Sequence, residues 1–123
     1  MSEPKSEAQL QAACHVWFHN TYPHLRGLGF MIHNDGKKTQ ATANADRARG
    51  LVAGAPDWQL AVPIPTRLGA SPCPGLFVEF KYGDGSLSPA QRNVHVKLRD
   101  QGYQVSIVRT VEAFQRLITE YLA

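Results

Sequence analysis

The stretch GLFVEFKY, Gly75 to Tyr82, reads as the strand on which the fold is built. Side chains alternate across a strand, so Leu76, Val78 and Phe80 share one face and Phe77, Glu79 and Lys81 share the other. The first face is apolar throughout and belongs to a core; the second carries a carboxylate and an ammonium two residues apart. Gly83-Asp84-Gly85 ends the strand. Ser88-Pro89-Ala90-Gln91 then opens a helix, with Ser as N-cap, Pro in the first position and Gln at the capping-box position. That helix runs to Asp100 or Gln101, and Gly102 closes it. Tyr103 to Val108 alternates as a further strand. Thr110 caps a last helix with Phe114, Leu117, Ile118 and Tyr121 at helical spacing.

Upstream, Gly54-Ala55-Pro56-Asp57 is turn chemistry that leads into a short strand, Trp58 to Val62. Pro63, Pro65, Pro72 and Pro74 make the following stretch a loop. Leu28 to His33 reads as another strand, with Phe30 and Ile32 as its buried residues. Asn34-Asp35-Gly36-Lys37 is a turn, and residues 39–49 allow one short helix ending at Gly50. Ser6 and Gln9 have capping-box spacing and start the first helix. Leu10, Cys14, Trp17 and Phe18 form its apolar face, and the helix stops before Pro23. Glu7 falls on the edge of that face, pointing inward, while His15 and His19 fall on the polar side. The order α-β-β-β-α-β with a C-terminal helix predicts a mixed α/β domain, a small sheet flanked by helices.

At 123 residues, 43% hydrophobic and 19% charged, with a mean hydropathy of −0.29, the chain has room for one ordinary core. The composition excludes a disordered chain, and no apolar run approaches the roughly 20 residues of a membrane span. MSEPKSEAQLQ lacks the apolar stretch of a signal peptide, and there are only two cysteines, Cys14 and Cys73. An intracellular, reduced setting is expected. The net charge of +3 is unevenly spread: residues 26–50 hold five basic side chains against two acidic, and the remainder is neutral, with eight of each. Lys37, Lys38, Arg47 and Arg49, clustered just before Asp57, suit contact with a phosphate chain.

Asp57 and Glu79 lie 22 residues apart on neighbouring predicted strands. If those strands pair, the two carboxylates converge on one face. Converging carboxylates repel unless a cation lies between them, and oxygen ligands suit Mg²⁺ or Mn²⁺. Lys81 adds positive charge where a phosphate would gain negative charge. Carboxylate, carboxylate and lysine around one point are the requirements of metal-assisted phosphodiester hydrolysis. Each part alone has a plainer reading: Glu-x-Lys as a solvated face, Pro-Asp as a turn, Gln91 as a cap, and the basic cluster as a solvated loop. His15 and His19 lack the intervening Glu of a zinc helix and read as solvent-facing; Cys14, Trp17 and Phe114 read as core.

GAPDW at 54–58 followed by VEFK at 78–81 resembles the signature of the PD-(D/E)XK nuclease superfamily. The resemblance is closest to its VRR-NUC (virus-type replication-repair nuclease) branch. SEAQLQ at 6–11, HNDGKK at 33–38, GLVAGAPD at 50–57, GSLSPAQ at 85–91 and GYQVSIVRT at 102–110 all fit that branch, so the resemblance spans residues 1–123 as a single nuclease domain. It looks like the stand-alone phage or bacterial form. Ala55 departs from the branched apolar residue more usual before the Pro-Asp, a packing position.

The resemblance implies a restriction-endonuclease-like fold. It implies that Asp57, Glu79 and the carbonyl of Phe80 bind Mg²⁺ or Mn²⁺, with Glu7 reaching the metal shell from the first helix. Lys81 would be the catalytic lysine and Gln91 would complete the site, while Asn34 would join the basic residues in contacting nucleic acid. The implied activity is endonucleolytic cleavage of branched DNA, similar to Holliday-junction resolution by a homodimer, in the cytoplasm of a bacterial cell or phage-infected host. A restriction-type or flap nuclease with the same core, and a nucleic-acid-binding module without turnover, are the alternatives.

Overall fold

The computed structural model describes residues 3–33, 39–65 and 71–123. Its elements in chain order are α1 (Glu7–Thr21), a 3₁₀ turn (Pro23–Leu25), β1 (Gly29–Met31), α2 (Gln40–Ala48), β2 (Trp58–Leu60), β3 (Leu76–Phe80), α3 (Pro89–Asp100), β4 (Gln104–Val108) and α4 (Val111–Leu122). The four strands form one mixed sheet in the order β1-β2-β3-β4. The first two pairings are antiparallel and β3–β4 is parallel, with α3 as the crossover between them. This is the expected small mixed sheet flanked by helices.

The caps foreseen in the sequence start the helices. The Ser88 hydroxyl accepts from the Gln91 N–H, and the Gln91 side chain accepts in return from the Ser88 N–H, a complete capping box. Thr110 caps α4 as expected, and Thr39, not singled out in the sequence, caps α2. Ser6 caps α1, but Gln9 does not complete a box there: its side-chain oxygen takes the Lys5 N–H instead.

Leu10, Cys14 and Phe18 of α1 meet Phe114, Ile118 and Tyr121 of α4 over one face of the sheet. Trp58, Leu60, Leu76, Val78 and Phe80 supply that face. Aromatic rings dominate the centre, with Trp58 edge-on to both Phe18 and Phe114 at 5.3 Å between centroids. Trp17 is half-buried at the margin and edge-on to Phe114. Burial lifts the Cys14 thiol pKa to about 12, with the nearby Glu112 charge adding to the shift, so the thiol is an inert part of the core.

Strand β1 departs from its reading. Phe30 is exposed and Ile32 only half-buried, whereas Gly29 faces the core. A Cβ on Gly29 would lie 2.5 Å from the Trp58 ring and 2.7 Å from the Phe18 ring. The large rings of β2 and α1 therefore fill the inward position, and glycine is the residue that fits there. No described helix is long and apolar enough to cross a membrane.

Candidate active site

The site forms where the start of β2 meets the end of β3. Trp58 pairs with Val78 across the antiparallel ladder, which sets Asp57 opposite Glu79. The Asp57 N–H donates to the Val78 carbonyl (3.1 Å), and the Asp57 carbonyl accepts from the Ile32 N–H (2.8 Å). Asp57 is thus fixed by the strands on both sides. Its Oδ2 accepts from the Phe80 N–H at 2.8 Å, which brings the Phe80 backbone against the aspartate. The Gln11 amide on α1 donates to the Asp57 carbonyl at 3.4 Å.

Glu79 is 0% exposed. Gln91 on α3 donates to its Oε2 at 3.4 Å, and the Nε2 of His95, one turn further on, lies 3.0 Å from its Oε1. Gln91 therefore has two tasks, capping α3 with its oxygen and reaching Glu79 with its nitrogen. The approach of the preceding loop depends on Gly54, which has φ +86°. A Cβ there would lie 2.5 Å from the Ala90 backbone and 2.7 Å from the Gln91 backbone nitrogen.

The electrostatics follow from this crowding. The Glu79 pKa is pushed up to about 9, first by burial and then by hydrogen bonding to and repulsion from Asp57, with the Lys81 ammonium opposing the shift. Glu7 is also raised, by partial burial and then by Asp57, again opposed by Lys81. Glu7 lies at the exposed mouth of the site rather than pointing inward as its helix-face position suggested. Lys81 follows β3 directly, its N–H donating to the Val108 carbonyl of β4. The His95 pKa is lowered by burial and by the Arg99 charge, so the imidazole is neutral near pH 7.

The structure therefore brings Asp57, Glu79 and Gln91 together, with the Phe80 backbone, Lys81 and Glu7 around them. Among the described residues, no three His, Cys, Asp or Glu side chains cluster closely enough to hold an ion alone. The pair fits a divalent cation in a different way. Two carboxylates in contact, one forced to keep a proton, lack a positive charge between them, and Mg²⁺ is commonly held by one or two carboxylates with water completing its shell.

Asn34, Lys37 and Lys38 lie outside the described residues. Arg47, in the last turn of α2, and Arg49, its C-cap, are exposed and bond to Asn44 and Asp46 of that helix. His95 went unread in the sequence, although its position four residues after Gln91 places it on the same helix face. His15, expected in solvent, is half-buried, and its Nδ1 accepts the Trp58 indole N–H at 3.1 Å.

No family model matches the sequence, and no curated protein resembles it. Solved structures share the fold. One, described as a VRR_NUC domain protein, has a TM-score of 0.69 and 19% identity, over 98% of this chain and 91% of that one. Another, described as a VRR_NUC domain, has a TM-score of 0.55 and 22% identity, over 94% of this chain and 96% of that one. The chain has the fold of a VRR-NUC domain, a mixed sheet flanked by helices in the PD-(D/E)XK manner.

Proposed function

We propose that this chain is a single-domain, divalent-metal-dependent endonuclease that cuts structured DNA in the manner of a Holliday-junction resolvase. The observation that carries the reading is the forced contact between buried Glu79 and Asp57, within electrostatic reach of Lys81. An acid pair of this kind is costly to a fold unless it serves a cation. The resemblance in sequence and the shared fold point the same way.

Asp57 and Glu79 would hold Mg²⁺ or Mn²⁺, with the Phe80 carbonyl as a third donor and Glu7 reaching the shell from the mouth. The metal supplies Lewis-acid polarisation of the phosphoryl group and a lowered pKa for water. Lys81 places an ammonium where negative charge grows on the scissile phosphate. Gln91 holds Glu79 and faces the same point from the start of α3. In-line attack by water breaks the bond to the 3′ oxygen and leaves a 5′-phosphate and a 3′-hydroxyl. Lys37, Lys38, Arg47, Arg49 and Asn34 would contact the phosphate backbone, so DNA shape would outweigh sequence.

One chain carries one such site, so paired cuts in a junction call for a homodimer. The setting of such an enzyme is the cytoplasm of a bacterial cell or infected host. The test is cleavage of four-way junctions, flaps and plain duplex with Mg²⁺ or Mn²⁺, with products sized on each strand. Symmetric paired nicks confined to the junction support the resolvase reading, and cleavage of flaps or duplex alone replaces it. Absence of cutting on every substrate overturns the enzyme reading.

A further inference from the structure

We propose that His95 is a positioning residue, which with Gln91 clamps both oxygens of Glu79 and sets that carboxylate in one orientation for a divalent cation. The inference rests on the nuclease reading for the cation, and on geometry alone for the clamp.

His95 is 0% exposed, as is Glu79. Its Nε2 stands 3.0 Å from Glu79 Oε1. Its other nitrogen, Nδ1, is buried with no hydrogen-bond partner among the described residues. Among the described residues the imidazole therefore has one hydrogen-bond partner, the glutamate. Burying a ring with one nitrogen unsatisfied is unfavourable. A leucine or phenylalanine would occupy a helix face packed on a sheet without that cost, so packing does not account for a histidine at this position.

The tautomer follows from the partner. Oε1 of Glu79 accepts whether the carboxylate is ionised or shares the pair's proton with Asp57, so Nε2 carries the proton and Nδ1 is left as a bare lone pair. Gln91, one turn earlier on α3, donates to Oε2 at 3.4 Å. The two donors are four residues apart on one helix face and grip the two oxygens of one carboxylate. They fix its rotation and leave its remaining lone pairs for Asp57 and whatever lies between the two acids. Such outer contacts orient a ligating carboxylate, and their loss typically weakens metal binding ten- to a hundredfold.

The test uses the full chain without DNA. Mn²⁺ binding is followed by the loss of the free-ion electron paramagnetic resonance signal in wild type, His95→Leu and His95→Gln. His95→Leu should weaken binding ten- to a hundredfold. His95→Gln, whose amide nitrogen can take the place of Nε2, should restore most of it. In parallel, ¹⁵N resonances of the His95 ring should show a neutral ring protonated on Nε2, and that signal should move in Glu79→Leu. Mn²⁺ affinity unchanged in His95→Leu, or a proton found on Nδ1, overturns the clamp. If His95→Leu does not fold, the ring resonances of wild type and Glu79→Leu decide the matter. A wild type that binds no Mn²⁺ overturns the nuclease reading, and the resonances then judge the clamp by themselves.

Discussion

Glu79→Gln should remove a pH dependence from the stability of the metal-free protein and make it more stable in alkali. In the native state the Glu79–Asp57 pair holds a proton up to about pH 9, whereas an unfolded glutamate releases it near 4.5. Between those values the folded state binds the extra proton. Its stability is therefore full below the unfolded pKa and is lost as pH rises through the folded one. One proton sets a ceiling of about 1.4 kcal/mol per pH unit. From pH 7 to 9 the slope tapers as the pair titrates, which leaves a loss of about 2 kcal/mol. For a chain of this length that is roughly 8 °C in melting temperature. The interval avoids the opposite contribution of His95 and His15, whose pKa values are lowered from 6.5 and which stay neutral there. Thermal melts in EDTA at pH 7, 8 and 9 give the comparison, because the difference between wild type and Glu79→Gln cancels the groups they share. Saturating Mg²⁺ should flatten or reverse the wild-type slope, since the metal binds the deprotonated pair. Parallel profiles for the two proteins in EDTA would refute the forced proton and, with it, the argument for a missing cation.

Lys81→Ala should lower cleavage by about 10²-fold or more while Mn²⁺ and DNA binding persist, as measured by single-turnover assays beside binding titrations. Gly54→Ala should cost about 2 kcal/mol or more in urea unfolding, because the left-handed backbone and the 2.5 Å approach to Ala90 both resist a Cβ. The same change should reduce cleavage by displacing Gln91. Neutralising Lys37, Lys38, Arg47 and Arg49 one at a time should each lower the log–log salt slope of DNA binding by roughly 0.9. Arg49 is the position where a smaller change is expected, because its guanidinium already faces Asp46.

The features legible in the sequence were those decided locally. Caps at Ser88 and Thr110 depend on a side chain and a backbone a few residues away, and both form. The alternation in Leu76–Phe80 also marks its two faces, because five residues in register leave little freedom of phase. Strand β1 spans only three residues, and the tertiary neighbours decided its phase: the Trp58 and Phe18 rings leave room only for Gly29 inside. A pattern-based reading chose the larger apolar residue, Phe30, for the core. Glu7 shows the same limit, since helical periodicity gives an angle but not the depth of the first turn at the open end of the sheet.

The candidate site divides along the same line. Asp57 and Glu79 announce themselves by residue type and by spacing on two paired strands, and the ladder sets them opposite each other. Their support does not announce itself, because a histidine in a helix has no chemical identity until its burial is known. His15 and His95 both sit in amphipathic helices with polar neighbours, yet one accepts an indole N–H and the other meets a carboxylate. What separates them is the surface each helix lays against: α1 covers the apolar face of the sheet and α3 covers the face that carries Glu79. The parity of β3 determines which face that is, so the strand that reveals the acid also identifies the helix that must hold it. Searching α3 at the spacing of Gln91 leads to His95, and no comparable argument leads from the sheet to His15, whose partner is the indole N–H of a core tryptophan, Trp58.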